Sequence, residues 1–471
     1  MKKVISILLV LCLALGLMAC GASEGTETTA PKDNRFRVGY ARADITPSHS
    51  VGLDGYGNTD QRLSNRVLDP LYLTCVAVTD CEDNTLIFVG IDIGEHEESS
   101  VNMVRGKIEK ATGVPKGNIT VSATHTHSAP GFGAISMNIL KAAEQTSKEA
   151  MEDRAYADMY IGQTQTKGLN FVRSYYMSDG SVLGVSFGSA IGKTYDRHVS
   201  DADEQMQLIQ FKREGKKDVI MANWQAHNHL TGGSEVYDIS ADFVGAFRTN
   251  IENDLDCLFA YYQGAAGNLN PSSSIKEENA VQPDVRNHLQ HGKLLAGHAK
   301  EALANMTAVE PGLIKIKTER FPGECLKGDS ELVGDAANVI AYYDAGHTIE
   351  ETRQYAEQFG IHSLYHAKAI SGRNARPASE PFPITSIAMG SVAFATIPGE
   401  LFDSVGQYLK EESPYDMTFI LGYCNGAVSY LPSEFGFEYG GYEVDITVYV
   451  KGTAEAVAER HVEILKEMKS Q

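Results

Sequence analysis

The chain has few of the residues that mark several large classes of protein. It contains seven cysteines and one tryptophan in 471 residues, which argues against a scaffold built from disulfides. Acidic residues outnumber basic ones by 61 to 41, and this balance argues against a nucleic-acid partner, whose phosphates require a basic face. Beyond the N-terminus, no apolar run approaches the ~20 residues that span a bilayer. The hydrophobic share of 43% nevertheless predicts a folded, globular protein.

The N-terminus predicts export. Two lysines precede an apolar run over residues 4–18 that is too short for an ordinary membrane-spanning helix. The run ends in Leu-Met-Ala-Cys, which resembles a bacterial lipobox whose cysteine, here Cys20, is acylated. Residues 1–19 are therefore predicted to be a lipoprotein signal peptide, and residues 20–35 a flexible polar tether. We expect a cell-surface lipoprotein anchored through Cys20; an ordinary signal peptide is the alternative.

Strand-like and helix-like segments alternate along the rest of the chain. Runs of β-branched and apolar residues predict strands at Leu71–Thr79, Thr85–Ile93, Asn118–Thr124, Asp218–Trp224 and Ile384–Ile397, the last broken near Gly390. Helical periodicity predicts helices at Ser99–Thr112, Asp284–Met306 and Thr453–Met468. This alternation favours one large α/β domain over residues 36–471, with mixed β-sheets flanked by helices.

Two His-x-His pairs follow predicted strands. His125 and His127 form the first pair, and His227 and His229 form the second. Alternate residues of an extended chain point to the same side, so both rings of a pair can face one site. Neutral imidazole is a common zinc ligand. One such pair is weak support because loop histidines often only donate hydrogen bonds, but two pairs in equivalent positions indicate a metal site.

Two further segments carry groups that suit a metal site. Glu400 ends the sequence Ile-Pro-Gly-Glu directly after a predicted buried strand, where a carboxylate can act as a ligand or a general base. The same residue could simply be the acidic start of a helix. Residues 430–443 contain three tyrosines; dense tyrosines usually pack together, but a phenol can also bind a metal or donate to an oxyanion.

In their order and spacing, these motifs resemble the catalytic domain of the neutral (non-lysosomal) ceramidase family. The most specific of them is the Thr-His-Thr-His-Ser-x-Pro-Gly loop at residues 124–131. The others are Gly39–Pro47 with Gly55-Tyr56, Asn170–Tyr175, Asn223-Trp224 with His227, Pro398-Gly399-Glu400, and the tyrosines Tyr430 and Tyr442. The resemblance extends from about residue 37 to the C-terminus.

The resemblance implies a zinc-dependent amidase whose substrate is a lipid-like or other amide. It implies that Zn²⁺ is held by His125, His227, Glu400 and Tyr430, and that protons or the oxyanion are handled by His127, Arg173 and Tyr442. Bound Zn²⁺ lowers the pKa of water from about 15.7 towards ~7 and polarises the amide carbonyl. The family match favours His227 over His229 as the second histidine ligand.

One position departs from the family pattern. A Gly-Asp-Val-Ser-Pro stretch of the family corresponds here to Gly-Asn-Leu-Asn-Pro at residues 267–271, so Asn270 stands at the serine position. Asparagine cannot act as an oxygen nucleophile, but its amide can donate to an oxyanion or orient water. Asn270 is therefore a candidate active-site residue. Ceramide, other N-acyl lipids, other amides and esters all remain open as substrates.

Two rival functions remain open from the sequence. Ser330 lies in a Gly-Asp-Ser-Glu-Leu block like that of GDSL serine hydrolases, and Ser186 lies in a Gly-x-Ser-x-Gly pattern followed by a poor helix start. A non-catalytic surface lipoprotein that keeps the fold is the second rival, and Asn270 favours it. The four candidate zinc ligands favour catalysis.

Other polar residues are expected to have no catalytic role. His288, His291 and His298 lie in a predicted helix and are expected to face solvent. The five cysteines after the N-terminus lack metal-ligand spacing and are expected to be small buried residues.

Overall fold

The computed structural model describes residues 33–56, 59, 61–184, 194–232, 236–272 and 288–471. Within them, residues Asn34–Gln471 form one compact unit. The predicted signal peptide, Cys20, nearly all of the tether and Ser186 lie outside the described residues.

The described part of the chain contains both strands and helices throughout its length. The strands are β1 Phe36–Asp44, β2 Arg66–Val67, β3 Tyr72–Thr79, β4 Thr85–Ile91, β5 Ile119–Ala123, β6 Ala155–Gln165, β7 Asn170–Val172, β8 Ser174–Met177, β9 Val182–Gly184, β10 Tyr195–His198, β11 Gln205–Arg213, β12 Val219–Trp224, β13 Asp238–Ile239, β14 Leu258–Gln263, β15 Leu269–Pro271, β16 Thr307–Val309, β17 Ile314–Phe321, β18 Phe382–Met389, β19 Val392–Thr396, β20 Glu400–Leu401, β21 Met417–Leu421 and β22 Tyr430–Leu431. The α-helices are α1 Glu98–Thr112, α2 Ser136–Glu152, α3 Asp242–Leu255, α4 His288–Leu303, α5 Val333–Asp344, α6 Ile349–Glu357, α7 Leu364–Ala375, α8 Asp403–Glu412, α9 Glu434–Tyr439, α10 Tyr442–Ile446 and α11 Thr453–Ser470.

The largest sheet is mixed and strongly curled. Its strand order is β14-β12-β11-β6-β1-β3-β4-β5, with β16 also paired to β6. The two edge strands, β14 and β5, both reach the end of β21. Gly422 donates its amide proton to the carbonyl of Gln263 (2.9 Å), and Ala123 donates to the carbonyl of Tyr423 (3.1 Å). The curl therefore brings together chain segments that a flat sheet would hold far apart.

A second sheet, of order β17-β18-β19-β21, packs against the curled sheet. One hydrophobic cluster joins them, with Phe88 of β4 against Phe394 of β19 at 4.8 Å between ring centroids. Helices cover the remaining faces of both sheets. Helices α1 and α2 form one layer on the larger sheet, α3 and α4 form another, and α8 and α11 pack on the smaller sheet. Helices α5, α6 and α7 share a small core of their own.

The α/β class with mixed sheets flanked by helices is confirmed. Each predicted strand and helix corresponds to an observed one, and the predicted strand Ile384–Ile397 is two strands that turn at Gly390, where φ is 61°. Four of the cysteines are buried, as expected, and Cys81 is half-buried; all five described cysteines are free.

The prediction that the histidines of α4 face solvent is wrong for two of them. His288 and His291 are buried, whereas His298 is half-buried and lies against Glu301. The reason is that α4 packs along α3 and the large sheet, which places His291 against the rings of Trp224 and Phe243. Among the described residues, no helix has the length and apolar character needed to cross a bilayer.

Candidate active site

Three chain segments that each follow a strand converge on one buried point. His125 follows β5, His227 follows β12, and Glu400 follows β19. Glu400 Oε2 lies 3.2 Å from His227 Nε2 and 3.6 Å from His125 Nε2. The curl of the large sheet around the end of β21 causes this convergence, so residues 275 positions apart in the chain share one site.

Main-chain carbonyl groups orient both imidazole rings. His125 Nδ1 lies 2.8 Å from the carbonyl oxygen of Gly94, and His227 Nδ1 lies within 3.0 Å of the carbonyl oxygens of Ala266 and Leu269. Since a carbonyl oxygen only accepts, each Nδ1 carries the proton and each Nε2 keeps its lone pair. Burial lowers the pKa of His125 to about 3 and that of His227 well below its usual value. Both rings are therefore neutral, as metal ligands must be.

The backbone of this site is strained at two facing residues. His125 has φ of 59° and Tyr423 has φ of 51°, in the left-handed region that residues with a side chain rarely adopt. Their rings stack at 3.9 Å, and the Tyr423 hydroxyl donates to Glu400 Oε2 at 3.0 Å. Such strain is typical of functional sites.

Glu400 is buried and its loop is tightly packed. A Cβ atom on Gly267 would lie 2.3 Å from the carbonyl oxygen of Glu400, so only glycine fits there. Parallel pairing of β20 and β22 places Glu400 directly beside Tyr430. Burial, and secondarily the charge of Glu95, raise the pKa of Glu400 to about 8.

His127 joins the cluster from the same loop as His125. Its Nε2 lies 3.0 Å from His125 Nε2, and ring nitrogens of His125, His127 and His227 all lie within 4.8 Å of one another. His127 Nδ1 is buried without a hydrogen-bond partner among the described residues. Three imidazole rings beside a carboxylate form a donor set that fits a zinc-like ion.

Arg173 lies between β7 and β8 and is almost fully buried. Its Nε donates to Glu443 Oε1 at 2.5 Å, and its Nη2 donates to the Tyr430 hydroxyl at 3.0 Å. Burial alone would lower the pKa of Arg173, but Glu443, Tyr430 and Glu400 together outweigh it, and the net shift is upwards. Arg173 is therefore a fixed positive charge at the edge of the histidine cluster.

Asn270 connects Arg173 to the second His-x-His pair. Its Oδ1 accepts from Arg173 Nη1 at 3.4 Å and lies 3.1 Å from His229 Nε2. His229 thus contacts Asn270, whereas His227 contacts Glu400. The side-chain oxygen of Asn270 is engaged in holding these two neighbours.

Both predicted tyrosines lie beside the cluster. The Tyr430 hydroxyl lies 3.4 Å from His227 Nε2. Tyr442 begins α10, and its ring centroid lies 5.7 Å from that of Tyr430. Burial raises the pKa of each phenol above its usual value, so both are neutral hydroxyl groups at neutral pH. All of the predicted ligands and active-site residues are thus within one neighbourhood.

Comparison with known proteins assigns a little under half of the chain to a family. Residues 36–260 match the sequence model described as neutral/alkaline non-lysosomal ceramidase, N-terminal. This segment belongs to that ceramidase family. The resemblance inferred from the motifs is thereby confirmed.

Individual ceramidases agree with this assignment. The neutral ceramidase of Pseudomonas aeruginosa is 23% identical over 268 residues, which are 52% of this chain and 38% of the relative. The matched part thus spans well under half of that relative. The crystal structure of neutral ceramidase from Pseudomonas aeruginosa has a TM-score of 0.70 at 16% identity, covering 93% of this chain and 75% of that one. A structure titled ceramidase complexed with C2 has a TM-score of 0.70 at 17% identity, covering 93% and 76%. These likenesses confirm the fold.

A cavity of about 690 Å³ opens onto this histidine cluster. His125, His127 and Glu400 lie in its wall, together with Tyr430 and Tyr442. The rest of the wall is partly apolar and aromatic, and includes Tyr56, Tyr365, Ile446, Val448 and Tyr449. The volume is in the range of about 300–1,000 Å³ that is usual for small-molecule sites.

Sequence reasoning missed several residues that shape the site. Tyr423 supports both His125 and Glu400, and Glu443 holds Arg173. Tyr56 packs edge-on against His127 at 5.1 Å. Tyr56 lies in a motif that the resemblance used, and Glu443 directly follows Tyr442, so a signal existed nearby for both. Tyr423 had none, because its role depends on how the two sheets meet.

Proposed function

We propose that the protein is a zinc-dependent amidase that cleaves ceramide-like N-acyl lipids. The observation that carries this proposal is the convergence of His125, His227 and Glu400, of which His125 and Glu400 lie in the wall of a cavity of about 690 Å³. The family of residues 36–260 and the similarity to a protein named neutral ceramidase support this substrate class.

The ion would be held by His125 Nε2, His227 Nε2 and Glu400, with the Tyr430 hydroxyl as the fourth group. These are nitrogen and oxygen donors of the kind that zinc prefers. When bound, Zn²⁺ would lower the pKa of a coordinated water and polarise the amide carbonyl.

His127 is placed to move protons. It is neutral because burial lowers its pKa well below the usual value, and its Nε2 lies 3.0 Å from His125 Nε2, on the side of the proposed ligands. It can therefore take the proton of the attacking water and deliver it to the leaving amine. Such transfer typically contributes about 10²–10⁴-fold to the rate.

Arg173 and Tyr442 are placed to stabilise the negative charge that develops on the amide oxygen. Arg173 is held by Glu443 and Tyr430, so its charge needs no reorganisation during the reaction. Tyr442 faces the same cavity as a neutral phenol and can donate a hydrogen bond. Asn270, which accepts from Arg173, helps to position it.

The cavity suits an amide with an apolar chain. Ile446 and Val448 offer apolar surface for an acyl chain, and Lys368, Arg376 and Glu380 add charged groups elsewhere in the wall. An N-acyl sphingoid base, which carries both apolar chains and polar hydroxyl groups, fits this mixed lining.

The two rival functions have less support. Ser330 lies on an exposed turn before α5 and is not among the residues that line the cavity. A non-catalytic protein would have no use for the oriented histidines, the buried carboxylate and the fixed arginine together. We therefore retain the amidase as the proposal.

The test is hydrolysis of N-acyl sphingosine by the purified protein, followed as release of free fatty acid. Activity should be abolished by dialysis against a chelator and restored by Zn²⁺. His298→Ala, a partly exposed histidine on another helix, is the control and should leave turnover unchanged. Turnover that survives chelation, or labelling of Ser330 by a fluorophosphonate with loss of activity, would reject the proposal.

We further infer that Cys20 anchors the protein to a membrane, where lipid substrates are found. The support is the lipobox-like sequence alone. Radiolabelled palmitate should be incorporated in a bacterial host and lost in Cys20→Ser. Equal labelling of both proteins would refute this anchor.

A further inference from the structure

A second cluster of metal-binding side chains lies outside the buried site. His362, His366 and Asp445 each offer one ligand atom, and these atoms lie within 4.8 Å of one another. The two histidines flank the start of α7, and Asp445 belongs to α10. The same two helices carry the cavity residues Tyr365 and Tyr442.

The carboxylate of Asp445 reaches both histidines with different oxygen atoms. Asp445 Oδ2 lies 2.7 Å from His362 Nδ1, and Asp445 Oδ1 lies 3.8 Å from His366 Nδ1. His362 precedes the N-cap Ser363, His366 lies in the first turn of the helix, and their ring centroids are 4.9 Å apart. The arrangement thus links two helices through one carboxylate.

The backbone around Asp445 is fixed by α7 itself. The Arg373 guanidinium donates to the carbonyl oxygens of Val444, Asp445 and Thr447, at 3.0, 2.7 and 2.8 Å. Because Arg373 and His366 belong to the same helix, Asp445 is held in register with the histidines. This prior positioning lowers the cost of ordering the ligands when an ion binds.

We propose that His362, His366 and Asp445 form a second binding site for a divalent transition-metal ion of the zinc class. Two imidazole nitrogens and one carboxylate oxygen are borderline donors that favour such ions over Mg²⁺ or Ca²⁺. The His362 side chain is 64% exposed, so water can complete the coordination.

To form this site, His366 Nδ1 must give up the hydrogen bond that it accepts from the main-chain N–H of His362 at 3.3 Å, and the other movements required are small. Ligand atoms of a tetrahedral zinc ion are about 3.3 Å apart, given bonds of about 2.0–2.1 Å. The two nitrogen–oxygen distances here, 2.7 and 3.8 Å, lie on either side of that value. The exposed ring of His362 can rotate to adjust.

A proton competes with the metal at this site. Asp445 raises the pKa of His362, and Glu357 makes a smaller contribution in the same direction. Burial lowers the pKa of His366, and His362 and Arg373 lower that pKa further, although Asp445 opposes them. Metal binding must therefore displace the proton that His362 shares with Asp445. Binding should strengthen as the pH rises through the titration of His362.

An ion here would connect the two helices behind the cavity wall. The rings of Tyr365 and Tyr442 lie 6.2 Å apart, edge to face. Fixing α7 to α10 would hold this pair, and with it the proposed oxyanion donor Tyr442. The site would thus be structural, and its existence does not depend on the proposed amidase activity.

The test counts zinc bound by the full-length protein. The protein is stripped with a chelator, equilibrated with Zn²⁺, passed through gel filtration and measured by elemental analysis. The double variant His362→Ala/His366→Ala should bind one equivalent fewer than the wild type. His49→Ala, another exposed histidine, is the matched control and should bind as much as the wild type.

The same comparison in a His227→Ala background separates this proposal from the amidase site. In the His227→Ala protein, the added double substitution should again remove one equivalent of zinc, whether or not the buried site still binds an ion. Asp445→Asn keeps the side-chain shape and should weaken zinc binding at least tenfold. If circular dichroism shows that the double variant is misfolded, Asp445→Asn is used in its place. Equal zinc content in the wild type and in the folded variant, or an equal loss in His49→Ala, would overturn the proposal.

Discussion

The two histidine clusters have similar side chains in opposite environments. In the buried cluster, main-chain carbonyls hold His125 and His227, and their pKa values are lowered by burial. In the exposed cluster, His362 Nδ1 is paired with a carboxylate that raises its pKa. The rings of His125 and His227 are neutral and oriented without any ion. In the second cluster, a metal must displace the proton that His362 shares with Asp445.

This difference shows that burial and main-chain hydrogen bonds, more than residue type, prepare histidines for a metal. Ligands that are already oriented bind more tightly because less ordering is needed when the ion binds. We therefore expect the buried cluster to bind zinc more tightly than the exposed one, and the following predictions test that ranking.

The largest effect is expected for His227→Ala, which removes a ring that is fully buried. The variant should lose the tighter-binding zinc equivalent. Its kcat/KM for N-acyl sphingosine should fall by more than the about 10²–10³-fold that loss of one oxyanion donor costs. Elemental analysis and initial rates check this. Retention of tightly bound zinc would mean that the exposed cluster, or another site, is the stronger one.

Arg173→Lys should lower kcat/KM by about 10²–10³-fold while zinc content stays at the wild-type value. Lysine keeps the charge but cannot donate simultaneously to Glu443, Tyr430 and Asn270 as the guanidinium does. Arg376→Lys, a change in a cavity residue paired with Glu380, is the matched control. Loss of zinc from Arg173→Lys would show that the arginine supports the ligands instead of the reaction.

Tyr423→Phe should weaken zinc affinity by about 10–100-fold, the usual cost of losing a group that orients a ligand. The ring that stacks on His125 is kept, and only the hydroxyl bonded to Glu400 is removed. Competition with a fluorescent zinc chelator measures the change. Tyr408→Phe, at a partly exposed tyrosine, should show none. An unchanged affinity in Tyr423→Phe would mean that Glu400 does not need this hydrogen bond.

The smallest effect is the pH dependence of zinc affinity, about tenfold per pH unit. Without metal, the pKa of Glu400 is about 8, so the carboxyl is protonated at pH 7 and zinc binding releases that proton. Affinity at the buried site should rise up to about pH 8 and then level off. Titration calorimetry in two buffers of different ionisation enthalpy, on the His362→Ala/His366→Ala background, should give about one proton released. Glu400→Gln should abolish this release; persistence of it would assign the proton to another group.

Much of the fold and of the site could be predicted from local sequence. The strands before His125 and His227 were visible as β-branched runs, and motif order related these residues to Glu400 and Tyr430. Contacts that depend on the curl of the sheet were not visible, because periodicity along one strand does not report which distant segment faces it. For this reason Tyr423 was missed and the burial of His291 was predicted wrongly. The cluster around Asp445 was also missed, since it combines a helical spacing with a residue some eighty positions away.

The central claim is that one zinc ion binds between His125, His227 and Glu400. Anomalous X-ray diffraction above and below the zinc absorption edge, on crystals grown with substoichiometric Zn²⁺, tests it directly. We predict a peak within about 2.0–2.2 Å of His125 Nε2, His227 Nε2 and a Glu400 oxygen. Absence of a peak there, with zinc bound elsewhere on the protein, would contradict the account.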